Sequence, residues 1–261
     1  MRNSNLIIIL FLSIAILFLC QAGLASPLFN NARLDFKAGD EPNSVAIGDL
    51  DGDEALDLAV ANRDSDNVSV MLGNGDGTFQ DAVSYGAGSG PCSVAIGDLD
   101  GDGVLDIAVA NAIGTVSVLL GNGVGTFQSA VNYGAGGWSE SVAIGNLNGD
   151  GVLDLAVANA RSDNVSVLLG NGDGTFQSAV NYGVGYSPRS VAIGELDGDG
   201  DLDLAVANWL GGTVSILLGN GDGTFQSAGN YGTEGWSESV ALGDLDGDGV
   251  LDLAVANWTY L

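Results

Sequence analysis

Histidine is absent from this 261-residue chain, so serine–histidine triads and histidine-ligated zinc sites are excluded. Positive charge is nearly absent as well: six Lys+Arg stand against 33 Asp+Glu, a formal net charge of -27. Nucleic-acid phosphates and anionic lipid surfaces would be repelled, and neither is expected as a partner. There are two cysteines, and Cys20 falls in an N-terminal apolar run with the marks of an export signal. Its removal leaves Cys92 alone, which excludes a disulfide framework. Long helices are disfavoured by 42 glycines. The abundant residues are Gly, Asp and small apolar types, and 46% hydrophobic content suffices for a core.

The export signal consists of Arg2, the apolar run Leu6 to Leu19 and the small residues around Gly23-Leu24-Ala25. Residues 1–25 are therefore expected to be a secretory signal peptide and residues 26–261 the folded part. The run is shorter than a bilayer span, so no membrane insertion is expected after cleavage. Leu19 stands before Cys20 where a lipoprotein signal takes a small residue. The expected location is secreted, extracellular or at the cell surface.

The folded part repeats itself. Acidic loops begin at Asp49, Asp98, Asn146, Glu195 and Asp244, at intervals of 49, 48, 49 and 49 residues. A period of this size denotes an array of supersecondary units. In the second unit the segments Ser93–Leu99, Leu105–Asn111, Thr115–Gly121 and Phe127–Gly134 read as four short strands between Gly/Asn/Asp turns. The first two are apolar on both faces of their alternation, as in Ile107-Ala108-Val109-Ala110, which suits sheets covered on both sides. Radial stacking of four-stranded sheets provides that cover, so the expected fold is all-β, a β-propeller of about five four-stranded blades. A fourth-strand copy at Leu28–Phe36 precedes the first loop, and the chain stops at "WTYL" inside the fifth unit. Ring closure by that N-terminal strand and an incomplete last blade both remain open.

In "DLDGDGVLD", Asp98, Asp100, Asp102 and Asp106 occupy positions 1, 3, 5 and 9, with the Val104 carbonyl at 7 and Gly103 at the sharp turn. Hard oxygen donors around a tight turn describe a calcium loop, and the cation would cancel their mutual repulsion. Position 12 holds Val109 where an EF-hand has Glu, and strands flank the loop in place of helices. The other loops supply Asp49, Asp51, Asp53, Ala55 and Asp57 (49–57); Asn146, Asn148, Asp150, Val152 and Asp154 (146–154); Glu195, Asp197, Asp199, Asp201 and Asp203 (195–203); and Asp244, Asp246, Asp248, Val250 and Asp252 (244–252). Ca2+ is the expected cofactor. The loops at 98–106 and 244–252 should bind best. The third is weakened by its two Asn, and the first by Glu54, which stands at the glycine position at a cost of roughly 1 kcal/mol or more. A solvated Asp/Gly turn is the competing reading of any one copy.

The repeated "DxDGDGxxD", followed in the first four units by "GNGDGTF" or its variant with Val124, resembles the FG-GAP/VCBS repeat family, which builds the integrin α-subunit propeller. The resemblance covers nearly everything after the signal. It implies FG-GAP-type blades with calcium loops between first and second strands, an extracellular setting, and roles in adhesion or ligand binding. The integrin-type ring has seven blades, which five copies do not supply. The "GNGDGTF" turns at Gly73, Gly170 and Gly219 need positive φ as hairpins, which accounts for their glycines.

Alternating strand direction puts the acidic loops and Gly-rich turns at one end of each blade and the variable loops at the other. The variable set includes "DEPN", "SGPC", "GWSE" and "YSPR" before the first strands. Trp138, Trp209, Trp236 and Trp258 all fall at this end, with Tyr186, Arg63, Arg161 and Arg189. Trp, Tyr and Arg dominate interface energies, so Trp138, Tyr186, Arg189, Trp209, Trp236 and Trp258 are the candidate ligand-binding residues. The alternative for these aromatics is a structural one, filling gaps between blades. The leading expectation is a non-catalytic module that binds an extracellular carbohydrate or protein. A structural blade array within a larger surface protein is the alternative, and a polysaccharide-acting enzyme ranks below both, because the obvious carboxylate pairs are committed to metal.

Overall fold

The computed structural model describes residues 34–259; the expected signal peptide, residues 1–25, and most of the Leu28–Phe36 copy lie outside the described residues. Leu34 and Asp35, which end the first of two units, take no regular structure, and Phe36 opens the second, which holds every strand. The described residues form eighteen strands and no helix. Among them no helix is long and apolar enough to cross a membrane.

Four sheets have four antiparallel strands each, paired in chain order. The first contains β1 (Pro42–Gly48), β2 (Asp57–Asn62), β3 (Asn67–Met71) and β4 (Val83–Gly86). The second contains β5 (Pro91–Gly97), β6 (Asp106–Asn111), β7 (Thr115–Leu119) and β8 (Val131–Gly134). The third contains β9 (Ser139–Gly145), β10 (Asp154–Asn159), β11 (Asn164–Leu168) and β12 (Val180–Gly183), and the fourth β13 (Pro188–Gly194), β14 (Asp203–Asn208), β15 (Thr213–Leu217) and β16 (Gly229–Gly232). The fifth sheet has two strands, β17 (Trp236–Gly243) and β18 (Asp252–Trp258).

The sequence pattern explains the stacking. In β6 every residue is buried. Ile107 and Val109 point to the core shared with the first sheet, where they meet Ala59 and Ala61; Ala108 and Ala110 point to the core shared with the third, where they meet Leu155 and Val157. Large residues on one face thus lie against small ones on the next sheet, which lets neighbouring sheets approach closely with few voids. The first strands adjoin in succession, β1 beside β5, β5 beside β9, β9 beside β13 and β13 beside β17.

Two expectations are adjusted. The third strand of the second unit ends at Leu119, and the fourth begins at Val131. Gly121 and Phe127 meet only as an isolated bridge, because the Phe127 ring is drawn into the core between sheets and packs edge-on to Tyr85 at 5.3 Å. The same ring pair recurs as Tyr133–Phe176 and Tyr182–Phe225. Phe36 makes the equivalent contact with Phe79 at 5.0 Å, although the described end of the Leu28–Phe36 copy forms no strand.

Candidate functional site

Each acidic loop joins the first two strands of its sheet. In the second, Asp98 Oδ1 accepts the Gly101 N–H at 2.7 Å and Asp98 Oδ2 accepts the Gly103 N–H at 3.0 Å. Asp102 accepts the Val104 N–H at 2.8 Å. These bonds fold the backbone around the carboxylates, with Gly101 at φ 78 and Gly103 at φ 86. Glu54, at the position of Gly103, is forced to φ 71.

Carboxylate oxygens of Asp49, Asp51 and Asp53 lie within 4.8 Å of one another, as do those of Asp98, Asp100 and Asp106, of Glu195, Asp197 and Asp199, and of Asp244, Asp246 and Asp248. Burial raises the Asp51 and Asp100 carboxyls above the usual range, and neighbouring acids push the same way. The donors are all oxygen, which suits a hard cation. In the third loop the Oδ1 of Asn146 is buried with no hydrogen-bond partner, an acceptor left open at position 1. By donor type the loops suit calcium: four of them bring three carboxylates together, and the carbonyls of Ala55, Val104, Val152, Asp201 and Val250, at position 7, would add to the set.

The ninth position has a second role that the sequence pattern did not reveal. Asp57, Asp106, Asp154 and Asp203 are buried, and each accepts two backbone N–H groups. Asp106 takes those of Leu99 and Gly121, both at 2.7 Å, and so ties the acidic loop to the turn after the third strand. Burial pushes its carboxyl up to about 6, against the pull of those two N–H groups. The signal available in the sequence was the placement of this Asp at the start of the buried "LAVAN" or "IAVAN" strand. Asp252, whose one bond among the described residues is from the Leu245 N–H at 2.9 Å, is more open. In the "GNGDGTF" turns Asp76, Asp173 and Asp222 accept from both the N–H and hydroxyl of the Thr two residues on, which lowers their carboxyls.

At the other end of the sheets lies a cavity of about 340 Å³ lined by Asn43, Arg63, Trp138, Glu140, Arg189 and Glu238. These residues come from the first, third, fourth and fifth sheets, so the array curves enough to bring its outer members to one cavity. Arg189 donates to Glu238 at 2.7 Å, and its guanidinium lies 3.8 Å from the Trp209 ring centre. Trp209 meets Trp236 edge-on at 5.2 Å. Arg161 and Arg63 lie 4.0 and 5.5 Å from the centre of the Trp138 ring. Of the six candidates, Trp138, Arg189, Trp209 and Trp236 are thus connected at this end, whereas Tyr186 and Trp258 stand exposed at 71% and 57%. Sequence reasoning passed over Asn43, Glu140 and Glu238. They share one register position with Cys92 and Arg189, the last letter of each variable motif, just inside the first strands. Asn43 donates to the Cys92 carbonyl at 3.0 Å.

The family described as FG-GAP-like repeat matches residues 49–109, 100–157, 147–206 and 195–255. No curated protein matches the chain. Among solved structures, the chain is similar to BBS1N in complex with ARL6DN, with a TM-score of 0.59, 17% identity and cover of 85% of this chain and 63% of that one. A protein from Lactobacillus plantarum gives 0.58, 19%, 84% and 65%. The V. cholerae biofilm matrix protein Bap1 gives 0.50, 20%, 83% and 35%. The chain therefore spans under two thirds of the length of the structures it resembles, and the likeness is one of propeller-like fold.

Proposed function

The chain belongs to the FG-GAP-like repeat family, and from that premise we propose that it is an exported, calcium-stabilised β-propeller module that binds an extracellular ligand without catalysing a reaction. The carrying observation is the separation of two chemistries. Oxygen-donor loops gather at one end of the sheets, and at the other a cavity is lined by Arg63, Arg189 and the Arg-covered Trp138. Calcium would be held by the side chains at loop positions 1, 3, 5 and 9 and the carbonyl at position 7, where it supplies positive charge that locks the loops. The absence of His and the commitment of the acidic pairs to the loops support a non-catalytic role. Structural likeness to BBS1N, which is in complex with ARL6DN, and to the biofilm matrix protein Bap1 suits a binding module.

The test is a glycan-array and protein-ligand screen of the purified chain in calcium and again in chelator. Calcium-dependent binding that is lost in Trp138→Ala and Trp236→Ala supports the reading. Binding indifferent to both substitutions refutes it.

A second reading, a structural blade array, is favoured by one observation. Val45 and Ile47 on the first sheet are 56% and 62% exposed, and a cavity of about 500 Å³ lined by Val214, Ile216, Tyr231 and Val255 opens beside the two-stranded sheet. Light scattering discriminates: a monodisperse monomer at high concentration argues against assembly through these apolar faces.

A further inference from the structure

Described cations number four: Lys37, Arg63, Arg161 and Arg189. In a chain of net charge -27, three of them converge at one cavity. Arg63 and Arg189 line it, and Arg161 lies on the ring of Trp138, which also lines it. Such focusing of the scarce charge is what an acidic ligand requires.

The guanidinium groups are positioned but not saturated. Arg189 is held by Trp209 and Glu238, yet its Nε is buried with no hydrogen-bond partner. Arg63 and Arg161 have no acidic partner among the described residues. Trp138 is held at φ 62, in the register position that Gly90 fills at φ 68 one sheet earlier. Glu41 and Ser187 are left-handed at the same position, at φ 50 and 56, so Trp138 is carried by a turn that recurs before the first strand of every four-stranded sheet. Because guanidinium groups already cover the Trp138 and Trp209 rings, ionic hydrogen bonding replaces bare indole stacking as the means of recognition.

The rest of the lining narrows the ligand. Glu140 and Glu238 offer acceptors and Asn43 offers a carbonyl as well as an amide, so the complement must carry neutral donors beside its negative charge. We propose that this cavity binds the carboxylate-bearing ring of an acidic saccharide, a uronic acid residue. Its carboxylate faces the Arg63 guanidinium with the half-exposed guanidinium of Arg189 beside it, and its hydroxyls donate to Glu140 and Asn43. An acidic peptide side chain supplies the carboxylate without the hydroxyls and sets further acid against Glu140. The proposal rests on the binding-face reading above and specifies its ligand class.

The experiment is an NMR titration of the Trp indole signals of the purified chain, in calcium. The probes are a glucuronate-terminated disaccharide, its methyl ester, the neutral glucose counterpart and polyglutamate. The expected result is binding of the acid, at least about tenfold weaker binding of ester and neutral sugar, and a similar loss in Arg63→Gln, as for a lost charged hydrogen bond. Lys37→Gln, which removes the cation outside the cavity, should bind as the parent does. The ester comparison stays decisive should Arg63→Gln fold poorly. Equal binding of acid and neutral sugar overturns the carboxylate assignment and leaves the binding face standing. Arg63-dependent binding of polyglutamate alone replaces the saccharide with an acidic peptide. Silence with every probe overturns the proposal, and the Trp138→Ala and Trp236→Ala screen then judges the face separately.

Discussion

A buried carboxylate that clamps two backbone N–H groups and also belongs to an acidic loop proposed to hold a cation is open to two separate experiments. Asp106→Ala leaves the N–H groups of Leu99 and Gly121 buried without acceptors, at about 1–3 kcal/mol each. Asp106→Asn retains one oxygen, so its denaturation midpoint in chelator should fall by less than that of Asp106→Ala. Protonation gives the second experiment. The Asp106 carboxyl is raised to about 6 in the fold, against about 3.9 for an ordinary Asp. Its stabilising contribution is thus full below pH of about 4 and disappears as pH rises through about 6. Burial moves Asp154 and Asp203 the same way. Asp76, Asp173 and Asp222 are shifted downward, so their contribution declines only at lower pH. The chelated protein should therefore melt higher at pH 4.5 than at pH 7.5, and saturating calcium should invert that order by holding the carboxylates ionised. Glu54, at φ 71, supplies a further case. Glu54→Gly should raise stability by about 1 kcal/mol or less, because relief of the left-handed strain is partly offset by the freer unfolded chain. The strain at Glu54 was legible in the sequence, since the other loops have glycine there. The clamp by Asp106 was not, because its second partner lies fifteen residues onward and meets it only through the fold.

The sheets stack by an alternation of large and small side chains, and the joint between neighbours is completed by a Tyr from one sheet and a Phe from the next. Phe127→Ala should cost about 3–5 kcal/mol, the range for a buried Phe, since Phe127 belongs to the core between the first two sheets and meets Tyr85 edge-on. Tyr231, which is 63% exposed and in none of the described ring pairs, is the control; Tyr231→Ala should shift the urea midpoint little. Equal costs would show that the aromatic joint does not hold the stack. The strands themselves were largely legible: both-sided apolarity in "IAVAN" marked a covered sheet, and turn residues marked its ends. The fourth strand was overextended because Phe127 reads as a strand residue by type. Its ring is recruited between sheets, and only Val131–Gly134 keeps a continuous ladder with β7.

The charge of the whole molecule sets its response to ions. Strand parity alone located the acidic and aromatic ends, because alternation sends every second loop the same way. It did not disclose that curvature joins Asn43 and Arg63 of the first sheet to Arg189 and Glu238 of the fourth and fifth, since no local pattern encodes that distance. The acidic loops carry much of the net charge of -27, so the folded array without cations repels itself. Each bound calcium would cancel two of those charges and bridge the oxygens as well. Sodium chloride can only screen, over a Debye length of about 10 Å at 0.1 M. In chelator the melting temperature should thus rise steeply with sodium chloride yet stay below the value in calcium, and in calcium the salt dependence should be shallow. Magnesium should substitute poorly, as it dehydrates reluctantly and demands near-octahedral geometry that these nine-residue loops do not favour. If the melting temperatures in chelator and in calcium coincide across the salt series, the loops are solvated turns, and cohesion rests on the aromatic and aliphatic joints between sheets.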